Sequence, residues 1–240
     1  MSNYAVADLH GCWTQWEQIK NFLQEDDRLF ILGDCIDRQT GGLGILTEAI
    51  NDPRCVVLCG NHEDMMMNAL EEEVQYGYSD YWIWRWFQNG GQVTYDEWQE
   101  AGRDFGWIER IRRLPLWAEY TNTDGDKILM SHSGHPPRKN WDMDSLSRNA
   151  LLWDRNHLNN TRWYRADNEF MVHGHTPIPI MPFYEKMNVD IEPGACIYCD
   201  GHKINIDNGS CWTGTTCLLD LDTFDEHIFG CEAPLNRQEV

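Results

Sequence analysis

The chain has 240 residues, of which 42% are hydrophobic and 24% are charged, a composition typical of a folded protein and not of a disordered one. Its 19 lysines and arginines stand against 39 aspartates and glutamates, so the formal net charge at pH 7 is -20. Because such a charge repels nucleic-acid phosphates and anionic membrane surfaces, general nucleic-acid binding and membrane-surface binding are excluded as leading functions.

The N-terminal sequence and the cysteines predict the cellular compartment. Residues 1–8 contain neither a basic region nor an apolar stretch long enough for a secretory signal. No apolar run approaches the roughly 18 residues of a membrane-spanning helix. The nine cysteines are an odd number in a chain large enough to fold without disulfides. Free thiols in a reducing compartment are the simplest interpretation, so we expect a cytoplasmic protein.

Five short aliphatic runs, each followed by a polar loop that contains glycine, predict buried strands. In chain order these runs are residues 4–7, 29–32, 56–59, 128–130 and 170–172. Apolar residues at helical spacing in 13–23 and 43–50 predict helices between the first three strands. This order predicts a mostly parallel sheet with helices on its faces, and ligands bind such sheets beyond the carboxyl ends of the strands.

The remaining segments complete the predicted fold. Residues 64–115 indicate a small helical cap over the strand ends, and 204–207 and 215–220 are typical of antiparallel strands. We therefore expect one α/β domain over residues 1–240, with two sheets packed face to face and helices outside. The aromatic block 82–87 is interpreted mainly as core packing of a cap helix. The alternative is a shelf that stacks a base or an aromatic side chain of the substrate.

Six polar side chains in the strand-end loops form a candidate metal site. They are Asp8, His10, Asp34, Asn61, His132 and His175. Oxygen and imidazole ligands of this kind suit Mn, Fe, Zn or Mg. Six ligands are too many for one catalytic zinc ion, and they match two ions about 3.5–4 Å apart that share one carboxylate. We assign Asp34 as the shared ligand.

Two such ions suit phosphoester hydrolysis, because they lower the pKa of a shared water towards about 7 and neutralise charge on the phosphoryl oxygens. His62, next to Asn61, is placed to protonate the leaving oxygen as a general acid. Asp37 is expected to orient that imidazole and keep it protonated. Arg38 offers two parallel donors for phosphate oxygens.

The loops that carry these residues resemble the motif series of the PPP-type metallophosphatases. The loops are 8–11, 33–38, 60–63 and 131–134. The short length, with residues 151–155 and 172–177, is most similar to the bacterial and bacteriophage lambda-type serine/threonine protein phosphatases. The resemblance spans about residues 4 to 221. It implies a calcineurin-like β-sandwich of two mixed sheets flanked by helices, with a dinuclear Mn or Fe/Zn centre. It also implies phosphomonoester hydrolysis, and it adds Arg155 as a second phosphate-binding arginine.

Some positions depart from that pattern. Gln39 follows Arg38 where the family has glycine, Ser133 follows His132 in place of glycine, and His173 precedes Gly174 where an apolar residue is common. We prefer His175 as the metal ligand, with His173 as an alternative. Residues 188–203 resemble a loop insertion. Within it Cys196 and Cys199 form one Cys-x-x-Cys pair, a weak zinc signal, and we interpret them as loop thiols.

The leading hypothesis is a metal-dependent phosphatase acting on phosphoserine and phosphothreonine proteins or peptides, with phosphotyrosine as a further substrate. The reaction would be in-line attack of a hydroxide that bridges two ions, with Mn preferred and Fe/Zn or Mg as alternatives. A diadenosine tetraphosphate or nucleotide pyrophosphatase is the second hypothesis, because the motif set is shared and the aromatic cap could stack adenine. A phosphoprotein-binding module without turnover is the third.

Overall fold

Two five-stranded sheets packed face to face form the core of the computed structural model, which describes residues 1–78, 80–134, 142–159, 163, 165–178 and 193–230. Helices cover the outer faces of both sheets. The predicted α/β sandwich of two mixed sheets is therefore confirmed. None of the helices in the described ranges is both long and apolar enough to cross a membrane.

The first sheet contains the three N-terminal strands and the last two strands of the described chain. They are β1 (Asn3–Val6), β2 (Arg28–Ile31), β3 (Cys55–Val57), β9 (Thr215–Asp220) and β10 (Glu226–Gly230). Their spatial order is β10-β9-β1-β2-β3. β1, β2 and β3 are parallel, whereas β9 runs antiparallel to β1 and β10. The parallel strands are joined through α1 (Trp13–Phe22) and α2 (Gly42–Asn51).

The second sheet is built from the middle and C-terminal parts of the chain. Its strands are β4 (Trp117–Thr121), β5 (Lys127–Ser131), β6 (Glu169–His173), β7 (Cys196–Tyr198) and β8 (Lys203–Asn205). The spatial order is β4-β5-β6-β8-β7, and β5, β6 and β8 are parallel. α7 (Arg148–Trp153) packs its Leu151 on the outer face of this sheet. The carboxyl ends of the parallel strands of both sheets meet at one edge of the sandwich.

Successive side chains of each strand point to opposite faces of the first sheet, and both of these faces are buried. In β1, Ala5 lies between the two sheets, whereas Tyr4 and Val6 face the helical layer. β2 follows the same rule, with Phe30 between the sheets and Ile31 against the helices. A strand buried on both faces has a nearly continuous apolar sequence, which is why these runs were recognisable.

The two predicted C-terminal strands lie in different sheets. β8 pairs with β7 and β6 in the second sheet, whereas β9 joins the first sheet beside β1. Between them the chain forms a short helix, α8 (Ser210–Thr213), flanked by Gly209 and Gly214 at φ 66° and 73°. These left-handed residues reverse the chain and carry it from one sheet to the other, because glycine adopts this backbone without a Cβ clash.

The segment 64–115 is helical. It contains α3 (Asn61–Tyr76), α4 (Tyr81–Gln88), α5 (Gln92–Glu100) and α6 (Trp107–Arg112). In the aromatic block, Trp86 is fully buried, and Ile83 and Phe87 pack partly buried against the core, as expected for core packing. Trp84 is 60% exposed and does not belong to that core.

The described part of the 188–203 segment is ordered into β7 and the turn before β8; residues 188–192 lie outside the described chain. Cys196 and Cys199 are buried beside Ile178 and Leu158. Neither cysteine belongs to a close group of potential metal ligands within the residues described. Cys196 lies in the strand β7, so the interpretation of the pair as loop thiols is wrong for that residue, and the apolar surroundings of both are those of buried thiols.

Candidate metal centre

The candidate site residues occupy strained backbone positions at the strand ends. Ten residues other than glycine have positive φ within the described ranges, and six of them were singled out from the sequence. These six are Asp8, His10, Asp34, Asp37, Arg38 and His175. Left-handed backbone is unfavourable for a residue with a Cβ, and such strain concentrates at functional sites. The loops are therefore shaped to present side chains at the cost of local backbone energy.

Asp34 lies at the centre of the cluster. Its Oδ2 atom is 3.6 Å from Nε2 of His10, 3.7 Å from Nε2 of His62 and 3.5 Å from Nε2 of His132. Burial raises the pKa of Asp34, but the three imidazoles outweigh burial, so the pKa is lowered overall. The carboxylate is thus held in the charged form that binds cations.

The other proposed ligands from the second sheet reach the same cluster. Nε2 of His132 lies 2.8 Å from Oδ1 of Asn61, and Nδ1 of His175 lies 3.2 Å from Nε2 of His132. The backbone N–H of His175 donates to Oδ2 of Asp8 at 2.9 Å. All of these side chains are buried. The structure therefore brings together the six residues singled out as ligands.

The donor set fits two cations. Two close groups of ligand atoms occur among the residues that the structure describes, Asp8–Asp34–His132 and His10–Asp34–His62, and Asp34 belongs to both, as a shared carboxylate would. Burial raises the pKa of Asp8 well above its usual range, and the charges of Asp207 and Asp34 add to this effect. A bound cation would offset that penalty, because it compensates buried negative charge. The second group contains His62, which is also the predicted general acid.

Backbone carbonyls aim two of the imidazoles. Nδ1 of His10 lies 2.9 Å from the carbonyl oxygen of Ile36, and Nδ1 of His132 lies 2.8 Å from that of Leu32. These contacts leave each Nε2 facing Asp34. Partners on the far nitrogen are the usual means of fixing ring orientation and tautomer at a metal ligand.

His173 points away from the cluster. Its Nε2 is 2.7 Å from the hydroxyl of Tyr198, and its Nδ1 is 3.0 Å from the carbonyl oxygen of Gly174. Burial lowers the pKa of His173 to about 3. The alternative in which His173 replaces His175 is therefore not the arrangement in the structure.

His62 is held by two carboxylates. Its Nδ1 lies 2.6 Å from Oδ2 of Asp37, and its Nε2 faces Asp34. Burial lowers the pKa of His62, but Asp34 and Asp37 raise it more, so the net pKa is raised. The imidazole is thus favoured in its protonated form, with the Nε2 proton directed into the site.

Asp37 is itself fixed by the helical segment. Its Oδ2 accepts a hydrogen bond from the indole N–H of Trp86 at 2.8 Å, and its backbone N–H donates to Oγ1 of Thr94 at 2.8 Å. α4 and α5 therefore orient Asp37, which in turn orients His62. Trp86 of the aromatic block therefore donates a hydrogen bond to the site in addition to packing in the core.

Both predicted phosphate-binding arginines lie beside the cluster. Nη2 of Arg38 is 3.4 Å from Nε2 of His62, and the guanidinium lies 4.2 Å from the centre of the Trp212 ring. Nη2 of Arg155 donates to the carbonyl oxygen of His175 at 3.3 Å. Stacking on Trp212 leaves the in-plane N–H groups of Arg38 available to an anion. Trp212 carried no sequence signal, because its contact depends on the turn between β8 and β9.

Asp207 is a further residue of the site, at a position where the sequence pattern predicts a strand. It lies just after β8, its Oδ1 accepts the backbone N–H of Gly209 at 2.8 Å, and its buried Oδ2 has no hydrogen-bond partner in the described chain. Burial raises the pKa of Asp207 to about 7. The available signal was the one used elsewhere, a polar residue directly after an apolar run.

Glu63 is a second residue without a predicted role. Its carboxylate accepts three buried backbone N–H groups, from Asp34 at 2.9 Å, Cys35 at 2.8 Å and Gly60 at 2.9 Å. A Cβ on Gly60 would collide with the Asp34 carboxylate, so the two loops touch through glycine. Glu63 lies three positions after Gly60, where a helix-capping carboxylate is found. It joins the loops after β2 and β3.

We expect Glu63→Gln to lower the free energy of unfolding of the metal-free protein by about 2–4 kcal/mol. The amide keeps one acceptor oxygen and leaves at least one buried N–H without a partner, at about 1–3 kcal/mol each. Urea unfolding followed by circular dichroism measures the change, with exposed Glu25→Gln as the matched control. Equal stability of the two variants would show that Glu63 does not anchor the loops.

Comparison with known proteins places this geometry among phosphoesterases. A family model described as calcineurin-like phosphoesterase matches residues 1–221. Serine/threonine-protein phosphatase 2 of Salmonella typhimurium is 31% identical over 163 residues, 65% of this chain and 68% of that protein.

Two further comparisons concern tetraphosphatases. The symmetrical bis(5'-nucleosyl)-tetraphosphatase of Chromohalobacter salexigens is 29% identical over 160 residues, which is 65% of this chain and 52% of that protein. The chain thus spans about half the length of that relative. A crystal structure of a chain assigned as a diadenosine tetraphosphatase superposes with a TM-score of 0.62 at 15% identity, covering 96% of this chain and 94% of the other. At that identity the likeness concerns the fold.

Proposed function

The chain belongs to the calcineurin-like phosphoesterase family, and from this premise we propose that it removes phosphate from phosphoserine and phosphothreonine, with phosphotyrosine as a further substrate. The observation that supports the proposal is the buried cluster around Asp34, flanked by the acid candidate His62 and by Arg38 and Arg155. We include in the proposal a single domain over residues 1–240 in which the helices of 64–115 form the cap.

The proposed metal ligands are the six clustered residues. They are Asp8, His10, Asp34, Asn61, His132 and His175. Two bound ions, Mn by preference and Fe/Zn or Mg as alternatives, supply positive charge against the phosphoryl oxygens and lower the pKa of water. This charge also admits an anionic substrate into a protein of net charge -20.

His62 is the proposed general acid. Its Nε2 proton faces the cluster, and Asp37 holds Nδ1, so the ring cannot turn the proton away. Transfer of that proton to the leaving oxygen avoids the release of an alkoxide from phosphoserine. Arg38 and Arg155 donate to the non-bridging phosphoryl oxygens and orient the phosphorus for in-line displacement.

We expect Asp37→Asn to move the alkaline limb of the kcat/KM profile to lower pH by about one unit or more. The negative charge of Asp37 raises the pKa of His62, so its removal lowers that pKa and the acid loses its proton at lower pH. Rates of phosphoserine-peptide hydrolysis across the pH range test this, because the seryl leaving group needs the proton of His62. Exposed Asp96→Asn is the control, and an alkaline limb that stays at the same pH in Asp37→Asn contradicts the role.

The test of the proposed function uses metal-stripped protein to which Mn, Mg, Zn or Fe(II) is returned singly. A phosphoserine peptide and diadenosine tetraphosphate are assayed in parallel. Metal-dependent release of phosphate from the peptide supports the phosphatase. No hydrolysis of the peptide or of p-nitrophenyl phosphate with any metal rejects it.

Symmetrical cleavage of dinucleoside tetraphosphates is the second candidate, and the similarity to the tetraphosphatase of Chromohalobacter salexigens favours it. The same residues would serve as ligands and acid, with a nucleotide in place of the seryl group. Production of ADP from diadenosine tetraphosphate at a rate far above peptide turnover would identify this activity. A protein that binds metal but hydrolyses neither the phosphoserine peptide nor diadenosine tetraphosphate would favour the third hypothesis, a phosphoprotein-binding module without turnover.

A further inference from the structure

A third arginine lies at the rim of the site between two tryptophans. The guanidinium of Arg85, on α4, lies 4.5 Å from the ring centre of Trp153 and 5.4 Å from that of Trp82. The Trp153 ring is in turn edge-on to His175, with ring centres 6.1 Å apart. Trp153 therefore connects Arg85 to the proposed metal centre. Arg85 does not touch the cluster itself.

α4 is anchored so that Arg85 keeps this position. The neighbouring residue, Trp86, donates its indole N–H to Asp37 at 2.8 Å. Just after the helix, the carbonyl oxygen of Gly90 accepts the backbone N–H of Arg38 at 3.0 Å. A helix fixed at both of these points has little freedom to move its Arg85 side chain relative to Arg38 and His62.

Arg85 has no carboxylate within ion-pair distance in the described chain, and neither have Arg38 and Arg155. The polar contact of Arg85 is with the Tyr81 hydroxyl, 3.3 Å from Nη1. Two flanking rings hold the guanidinium plane and leave in-plane N–H groups for an anion.

An open groove adjoins this residue. It has a volume of about 530 Å³, and Trp153 and Arg155 line it together with Ser147 and Asn149. Arg155 contacts His175, and Trp153 contacts both His175 and Arg85, so the groove shares Arg155 with the proposed phosphate site and Trp153 with the surroundings of Arg85. Asp154 also lines the groove.

We propose that Arg85, held between Trp82 and Trp153, binds a second anionic group of the substrate beside the phosphate that is hydrolysed. This inference rests on the proposed function, because the first phosphate is the one held by Arg38 and Arg155. The second anion is a further phosphate of a nucleotide or a carboxylate next to phosphoserine. Both present oxygen atoms that a planar guanidinium binds through two parallel hydrogen bonds.

The experiment measures binding by calorimetry in the His62→Asn background with Mn present, so that the ligands persist. One pair of ligands is ADP and AMP, and the other is a phosphoserine peptide with glutamate or glutamine as the following residue. For each pair, the ratio of the dissociation constants of its two ligands is compared between three proteins: the one that retains Arg85, the one with Arg85→Gln and the one with Arg85→Lys. Arg113→Gln is the control, because Arg113 is exposed and has no carboxylate partner in the described ranges.

We expect the two-anion ligand of at least one pair to bind roughly tenfold more tightly than its partner when Arg85 is present. Arg85→Gln should reduce that ratio to below about twofold, Arg85→Lys should leave it intermediate, and Arg113→Gln should not change it. If Arg85→Gln lowers the ratio only for ADP and AMP, the second anion is a further phosphate of a nucleotide. If it lowers the ratio only for the two peptides, the second anion is a carboxylate next to phosphoserine.

Ratios that stay the same in Arg85→Gln and Arg113→Gln would overturn the proposal, as would ratios near one when Arg85 is present. If Arg85→Gln fails to fold, the ratio measured for Arg85→Lys tests the proposal, because lysine keeps the positive charge but lacks the planar guanidinium that stacks between the two rings. Turnover of p-nitrophenyl phosphate by the unaltered protein is measured separately. Its absence would reject the proposed function and leave the binding result on Arg85 interpretable.

Discussion

Asp34→Asn is expected to lower kcat/KM for p-nitrophenyl phosphate by at least about a thousandfold. Asp34 is the one carboxylate common to both groups of ligand atoms, and its Oδ2 lies within 3.5–3.7 Å of three imidazoles. The amide has nearly the same shape but lacks the charge that two cations would share. Loss of several kcal/mol of electrostatic stabilisation corresponds to this factor, since each 1.4 kcal/mol is about tenfold.

Metal content and activity should be measured together for this variant. Elemental analysis of the purified protein is expected to show fewer Mn ions bound per chain, and circular dichroism should show a folded protein. Asp124→Asn, in an exposed turn, provides the same change of charge away from the site. Full metal content with undiminished turnover in Asp34→Asn would remove Asp34 from the centre of the mechanism.

His62→Asn is expected to reduce turnover of a phosphoserine peptide by about a hundred- to ten-thousandfold. The loss for p-nitrophenyl phosphate should be much smaller. A seryl alkoxide needs a proton as it leaves, whereas p-nitrophenolate is a stable anion at neutral pH. Steady-state rates on the two substrates give this difference directly.

The difference between substrates separates a general acid from a metal ligand. A variant that lost a ligand would lose both activities in parallel, together with bound metal. This comparison matters because His62 lies close enough to Asp34 and His10 to be grouped with the ligand atoms. His227→Asn, on β10 at the edge of the first sheet, is the matched control. Equal losses of activity on both substrates would show that His62 acts as a metal ligand and not as the general acid.

The sequence predicted most of the fold through local signals. Runs such as 29–32, buried on both faces and ended by glycine, are recognisable without knowledge of their partners. The sheet to which a short strand belongs is a different matter. The sequence predicts only that the regions of β8 and β9 form antiparallel strands, and the turn around Gly209 and Gly214 carries the chain from one sheet to the other.

The candidate site was predictable to the extent that its residues follow strands in order along the chain. Asp207 had that signal and was assigned to a strand because it continues the pattern of alternating residues. Trp212 and Arg85 could not have been singled out, since their contacts with Arg38 and Trp153 join segments far apart in sequence. Local periodicity of apolar residues predicts helices and strands, but it does not predict contacts between distant segments.

The two sheets contribute to the cluster from opposite halves of the chain. Asp8, His10, Asp34 and Asn61 follow strands of the first sheet, whereas His132 and His175 follow strands of the second. During synthesis the ligand set is incomplete until residue 175 has emerged and the sheets have docked. Metal held by these proposed ligands would therefore stabilise the finished fold and not its early stages. Metal–ligand bonds that form this late would leave the folding rate unchanged and would slow unfolding. Bound ions would therefore slow the separation of the two sheets.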